Sequence, residues 1–203
     1  MPDHSGPDPS GPDRSPANWP SANWPSANWI ATGPRKANAP LLVTAELPPD
    51  LVGWADSLRR AHYPPERNRL RAHVTLFHAL PPSVEGELIE VLGALARAAP
   101  PRARIDGLMK LDAGTALAID SPDMVELHGA IAERMHGLLT DQDSRPLRLH
   151  VTIQNKVTRQ AAQALQAQLR PTLHPIPFRF RGFGLYAWEA GLWRPIRLIS
   201  FRG

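Results

Sequence analysis

The chain has 203 residues, 42% of them apolar, a formal charge of +4 at pH 7 and no cysteine. That length supports one compact unit with a substantial core, and the missing thiols exclude disulfides, thiolate metal sites and a cysteine nucleophile. No run reaches the roughly eighteen apolar residues of a membrane helix, and the start lacks the basic-then-apolar order of an export signal, so the cytoplasm is the expected location. The positive charge comes almost wholly from arginine, with only three lysines. Arginine's planar fork suits phosphate, which brings nucleotides and RNA into view as partners, although GC-rich coding would leave the same composition.

In chain order, the first segment is a tail. Residues 1–40 repeat with a period of five, as in Ser21-Ala22-Asn23-Trp24-Pro25 and Ser26-Ala27-Asn28-Trp29-Ile30. Proline at this density blocks both helix and ladder hydrogen bonding. The segment is expected to be disordered, and the folded domain is expected to occupy 41–203.

From Leu41 the pattern becomes regular. Leu41 to Leu47 reads as a short apolar strand, and Asp50 is placed to cap a helix carrying Leu51, Trp54, Ala55 and Leu58 at helical spacing. Pro64-Pro65 ends it, and Arg71 to Leu80 then alternates as a strand does. Ser83 stands at the start of a helix with acidic residues in its first turn and Leu88, Val91, Leu92 and Leu95 on one face. After Pro100-Pro101 comes a hairpin, Ala103 to Leu111 and Thr115 to Asp120, about Asp112-Ala113-Gly114. Ser121-Pro122 opens a helix that should turn Met124, Leu127, Ile131, Met135 and Leu138 inward. Arg148 to Val157 is the next strand, and Thr158 caps a helix through Leu169. A last hairpin joins Phe178–Ala187 to Leu192–Phe201 across Glu189-Ala190-Gly191. This order predicts an α+β chain in two comparable halves, with antiparallel or mixed sheets and helices outside.

Two of these strands share a core. Arg71-Ala72-His73-Val74-Thr75-Leu76 and Arg148-Leu149-His150-Val151-Thr152-Ile153 both read Arg-x-His-Val-Thr-aliphatic, and each precedes a helix. Residues i and i+2 of a strand point the same way, so His73 shares a face with Thr75, and His150 with Thr152. Extending the alternation adds Arg71 and Phe77 to the first face, and Arg148, Gln154 and Lys156 to the second. If the two halves meet across a groove, two imidazoles, two hydroxyls and a cationic rim surround one phosphate. One imidazole then takes a proton from the attacking oxygen while the other, entering as imidazolium, protonates the leaving oxygen. The hydroxyls bond the non-bridging oxygens as charge builds there. These groups need neither metal nor cofactor, and the near symmetry leaves open which histidine is base and which is acid. Phe77 is available to stack a base or to fill the core.

The paired His-x-Thr strands resemble those of the two-histidine phosphoesterase superfamily, within it most closely the bacterial 2′-5′ RNA ligases and RNA 2′,3′-cyclic phosphodiesterases. The resemblance covers roughly 41–203. It implies a bilobal fold with a pseudo-two-fold axis and a central groove. In that groove His73, Thr75, His150 and Thr152 would hold a cyclic phosphate at an RNA 3′ end or on a nucleotide. It implies a monomer with no membrane partner, hydrolysing the cyclic phosphate or, in reverse, joining ends by a 2′-5′ link. Relatives often place an arginine shortly after the second motif. Here that region reads Gln154-Asn155-Lys156, with Lys156 as the substitute.

The other histidines carry no such pattern. His78 should point away from His73 in a regular strand. His128 and His136 are eight apart on one helix, without the i, i+4 metal pairing, and His4, His62 and His174 have no visible partners. Tyr186 and Trp188 read as core. There is no glycine-rich phosphate loop, no G-x-S-x-G elbow and no carboxylate cluster for a two-metal nuclease. The alternatives are a binding module of the same fold without turnover, a scaffold acting through its Trp-Pro tail, or a phosphodiesterase for 2′-5′ oligonucleotides or a small cyclic-phosphate metabolite.

Overall fold

Runs of alternating apolar residues become strands in this chain, and proline marks where strand gives way to helix. The computed structural model describes residues 35–203; the five-residue repeat and His4 lie outside the described residues. The elements are β1 (Leu41–Glu46), α1 (Pro49–His62), β2 (Val74–Leu80), α2 (Glu85–Leu95), β3 (Arg102–Leu111), β4 (Gly114–Asp120), α3 (Pro122–Arg134), β5 (His150–Gln154), α4 (Arg159–Leu169), β6 (Ile176–Arg179), β7 (Gly182–Glu189) and β8 (Leu192–Ser200).

Two helix starts follow their side-chain signals. The Ser121 hydroxyl accepts from the Met124 N–H and the Thr158 hydroxyl from the Ala161 N–H, each satisfying an orphan donor of the first turn. The other two do not. Pro48 occupies the position before α1, so Asp50 lies inside the first turn, where its charge meets the helix dipole. Ser83 is spent in a 3₁₀ turn over Pro82–Val84 that leads into α2. Helix α3 ends at Arg134, and Gly137 follows at φ 81°, so Leu138 falls beyond the helix and is 41% exposed instead of packed inward.

The strands form two four-stranded sheets, ordered β2-β1-β7-β8 and β5-β4-β3-β6. Every pairing is antiparallel. The expected strand Phe178–Ala187 is two strands in different sheets. Between β6 and β7 the chain turns a corner at Phe180-Arg181, where Phe180 N–H donates to Pro101 O and Arg181 N–H to Glu46 O. Phe180 is fully buried, so apolar alternation runs through the corner and hides it. The last hairpin closes through Ala190 and Gly191, both at positive φ, as a two-residue turn matching the strand twist requires.

The halves repeat one plan. In β1–α1–β2 and in β4–α3–β5 a helix separates two strands that then pair, and the second strand of each unit is the edge of its sheet. Of the His-x-Thr pairs, β5 carries His150 and Thr152, and β2 carries Thr75 with His73 immediately before its first residue. Behind them Val74, Leu76, Val151 and Ile153 belong to one continuous core with Phe77, Leu117, Ile131 and Phe183.

Candidate active site

Both motif strands contain the same irregularity. Along β1 and β2, Thr44 faces Thr75 but Val43 faces Phe77, so Leu76 is an extra residue. Along β4 and β5, Ala116 faces Thr152 but Thr115 faces Gln154, so Ile153 is extra. A bulge of this kind breaks the alternation and re-aims side chains. It leaves His73 and Thr75, and His150 and Thr152, partly open on one face, while Leu76-Phe77 and Ile153-Gln154 are buried as consecutive pairs.

The two imidazoles are held alike. His73 Nδ1 lies 2.6 Å from the Arg71 carbonyl, and His150 Nδ1 lies 2.6 Å from the Arg148 carbonyl. A carbonyl only accepts, so each Nδ1 carries a hydrogen and donates it. Each Nε2 is thereby left as the ring's second polar atom. His73, Thr75, His150 and Thr152 border one cavity of about 510 Å³, together with Pro40, Leu42, His78, Ala79, Trp188 and Trp193.

The His73 ring packs against Trp193 at 4.4 Å between centroids. Burial, with smaller contributions from the charges of Arg59, His150 and His78, pushes its pKa down to about 4 against the pull of the Arg71 carbonyl. Arg59 itself is buried in α1. Its guanidinium donates to the carbonyls of Thr152 (2.6 Å) and Leu70 (3.0 Å) and to Asn68 Oδ1 (3.1 Å), and it lies over the Tyr63 ring. A helix of the first half thus holds the motif strand of the second.

The model of the 2′-5′ RNA ligase superfamily matches residues 47–192, a span that includes both His-x-Thr strands. The chain belongs to the 2′-5′ RNA ligase superfamily. Membership supports a phosphoesterase-type activity. Among solved structures, this superfamily member is similar to TT0787 of Thermus thermophilus, at 18% identity and a TM-score of 0.56 over 81% of this chain and 98% of that one. It is similar also to E. coli LigT, at 19% identity and a TM-score of 0.52 over 83% and 100%. A third structure, described as a phosphoesterase, gives 20% identity and a TM-score of 0.50 over 82% and 99%. At such identities the likeness is one of fold, the two-lobed α+β arrangement expected above. No match was found among curated proteins.

Other positions singled out from the sequence fall elsewhere in this superfamily fold. Phe77 is fully buried and stacks on His128 of α3 at 4.5 Å, so the bulge removes it from the groove face, and Gln154 is buried for the same reason. Arg71 Nε pairs with the buried Asp56 at 3.2 Å, and its side chain borders a smaller pocket of about 100 Å³ beside His73. Arg148 contributes its carbonyl to His150 while its side chain is exposed, and Lys156 is exposed just past β5 at φ 58°. Neither of these cations lines the 510 Å³ cavity. Tyr186 is buried as expected and donates to Glu46 Oε1. Trp188 is not core: it is 47% exposed and borders the cavity. His78, expected to point away, borders it too. A regular alternation could not have shown His78 there.

Proposed function

We propose that this protein is a phosphodiesterase for 2′,3′-cyclic phosphate ends of RNA or nucleotides, working by paired-histidine acid-base catalysis. The observation that carries the reading is the pair of imidazoles, each with Nδ1–H donated to a carbonyl two residues earlier, bordering one cavity beside the two motif threonines. A cyclic phosphate held there has an attacking and a leaving oxygen on opposite sides of phosphorus, which is what two facing proton-transfer groups serve. The threonine hydroxyls donate to the non-bridging oxygens. The tryptophan walls accommodate a nucleoside, and LigT, of like fold, has been solved in complex with NADP+.

The low pKa of His73 suits it to the base's role and leaves the acid's role to His150. His73, depressed to about pH 4 by burial, is neutral at physiological pH and takes the proton of the attacking water on Nε2. The water oxygen bonds to phosphorus, one P–O bond to the ribose breaks, and His150 gives its Nε2 proton to the departing ribose oxygen. The products are a phosphomonoester and a free hydroxyl. With a ribose hydroxyl in place of water, the same transfers in the same direction join it to phosphorus, free one ribose oxygen and make a ligated end.

The test is turnover of 2′,3′-cyclic mononucleotides and cyclic-ended RNA in the presence of a chelator. Conversion to the phosphomonoester at an undiminished rate is the expected result. Tight binding of the product with no turnover of any cyclic phosphate would establish the binding-module alternative instead, and chelator-sensitive turnover would refute the all-protein mechanism.

A further inference from the structure

A third imidazole borders the cavity, and the chemistry above does not use it. His78 follows a second irregularity of β2, where Leu41 faces Leu80 and Val43 faces Phe77, so that one residue of β1 spans both His78 and Ala79. The ring sits on Asp143, from the segment between α3 and β5. Nδ1 lies 2.8 Å from Asp143 Oδ1. The Asp143 oxygens also accept the main-chain N–H of His78 at 3.0 Å each, and Oδ2 accepts that of Ala79 at 3.1 Å. The Asp143 side chain is 1% exposed, that of His78 44%.

Burial alone would raise the Asp143 carboxyl, but the hydrogen bonds from the His78 ring and from the two amides outweigh it and hold the group below the usual carboxylate range. A fixed anion therefore lies under the ring, takes Nδ1–H, and leaves Nε2 as the ring's other polar atom. Clamping the irregular backbone needs only the carboxylate. The imidazole extends that anchor to the cavity, with the buried carboxylate held against its far side. Among the described residues that line the cavity there is no carboxylate to repel an anion, and His78 is near enough to His73 for its charge to act on that ring.

We infer that His78, seated on Asp143, binds a second phosphate of the substrate beside the one held between His73 and His150. The inference rests on the phosphodiesterase reading above and narrows it to substrates with two phosphates. The second group is either a 5′-phosphate on the same nucleoside or the phosphodiester to the preceding nucleotide.

The experiment compares kcat/KM of the full chain for three substrates: a 2′,3′-cyclic mononucleotide, the same nucleotide with a 5′-phosphate, and a cyclic-ended dinucleotide. Wild type is compared with His78→Phe, which keeps the ring volume without its nitrogens, and His78→Asn, which keeps a donor for Asp143 but lacks the far nitrogen. Wild type should favour at least one two-phosphate substrate, and the arm that gains identifies the source of the phosphate. That preference should fall about tenfold in both variants, the value of one charged hydrogen bond, while thermal unfolding shows them folded. A wild type without preference, or variants that keep it, would overturn the inference, as would a preference retained by His78→Asn alone. If wild type turns over none of the three, the phosphodiesterase reading fails by itself. Dissociation constants for the matching phosphomonoester products then read the same ratio, and an absent preference there overturns the inference independently.

Discussion

His73 and His150 make the same hydrogen bond to a carbonyl two residues back, and His73 also packs against Trp193, with its pKa pushed down to about 4 by burial. On the proposed mechanism, the base therefore stays unprotonated far below the range of an ordinary imidazole. Plotted against pH, kcat/KM should be bell-shaped with its acid limb near pH 4, measured by initial rates across the range. Stability follows the same group. His73 titrates at 6.5 when unfolded and at about 4 when folded, so between those values the unfolded chain takes up a proton that the native state refuses. Stability should fall as pH drops through that window, and His73→Gln should flatten the fall, read by urea unfolding at about pH 4.5 and 7. At this scale the sequence was informative where strand geometry is regular: His73 with Thr75 and His150 with Thr152 share faces because they are two apart. It failed one step later. A bulged residue has no signature in alternation, so Phe77 and Gln154 were placed on the groove face and His78 off it.

Elements were legible wherever proline, a capping hydroxyl or a turn marked their ends. Ser121 and Thr158 cap as read, whereas Asp50 and Ser83 were displaced by the prolines beside them. The corner at Phe180 was invisible because apolar alternation continues across it. Close packing at the end of β5 has a readable cause in Gly114. A Cβ there would collide with the Gln154 carbonyl and come within 2.7 Å of Asn155 Cα, all main-chain atoms that move only with the strand carrying His150 and Thr152. Gly114→Ala should cost about 1–3 kcal/mol, seen as a lower midpoint in urea unfolding, and should also depress kcat. Full stability in that variant would mean that β5 yields more easily than a paired strand should.

The two halves are interlocked across the groove. Arg59 of α1 donates to the Thr152 carbonyl on β5, and His128 of α3 stacks on Phe77 of β2. Each motif strand is thus held by the helix of the opposite half, close to its bulge. Arg59→Met leaves two half-buried carbonyls without this donor and should destabilise the fold by about 1–3 kcal/mol, read by thermal unfolding; Arg59→Lys should recover only part of that. Deleting residues 1–34 removes none of these contacts, and kcat/KM is expected to stay within about twofold of the full chain. The bilobal plan was readable from the repeated strand–helix–strand order, but the exchange of helices between halves was not, since no spacing links Arg59 to Thr152. On the proposed mechanism the interlock serves joint action of two imidazoles on one phosphorus, and the kcat values of His73→Ala, His150→Ala and the double variant on a 2′,3′-cyclic nucleotide test it most directly. Each single replacement should lower kcat by about 10²–10⁴, and the double variant should be no slower than the slower single, because one missing partner already stops the paired transfer. Losses that multiply in the double variant, or a single variant that keeps its rate, would contradict joint action.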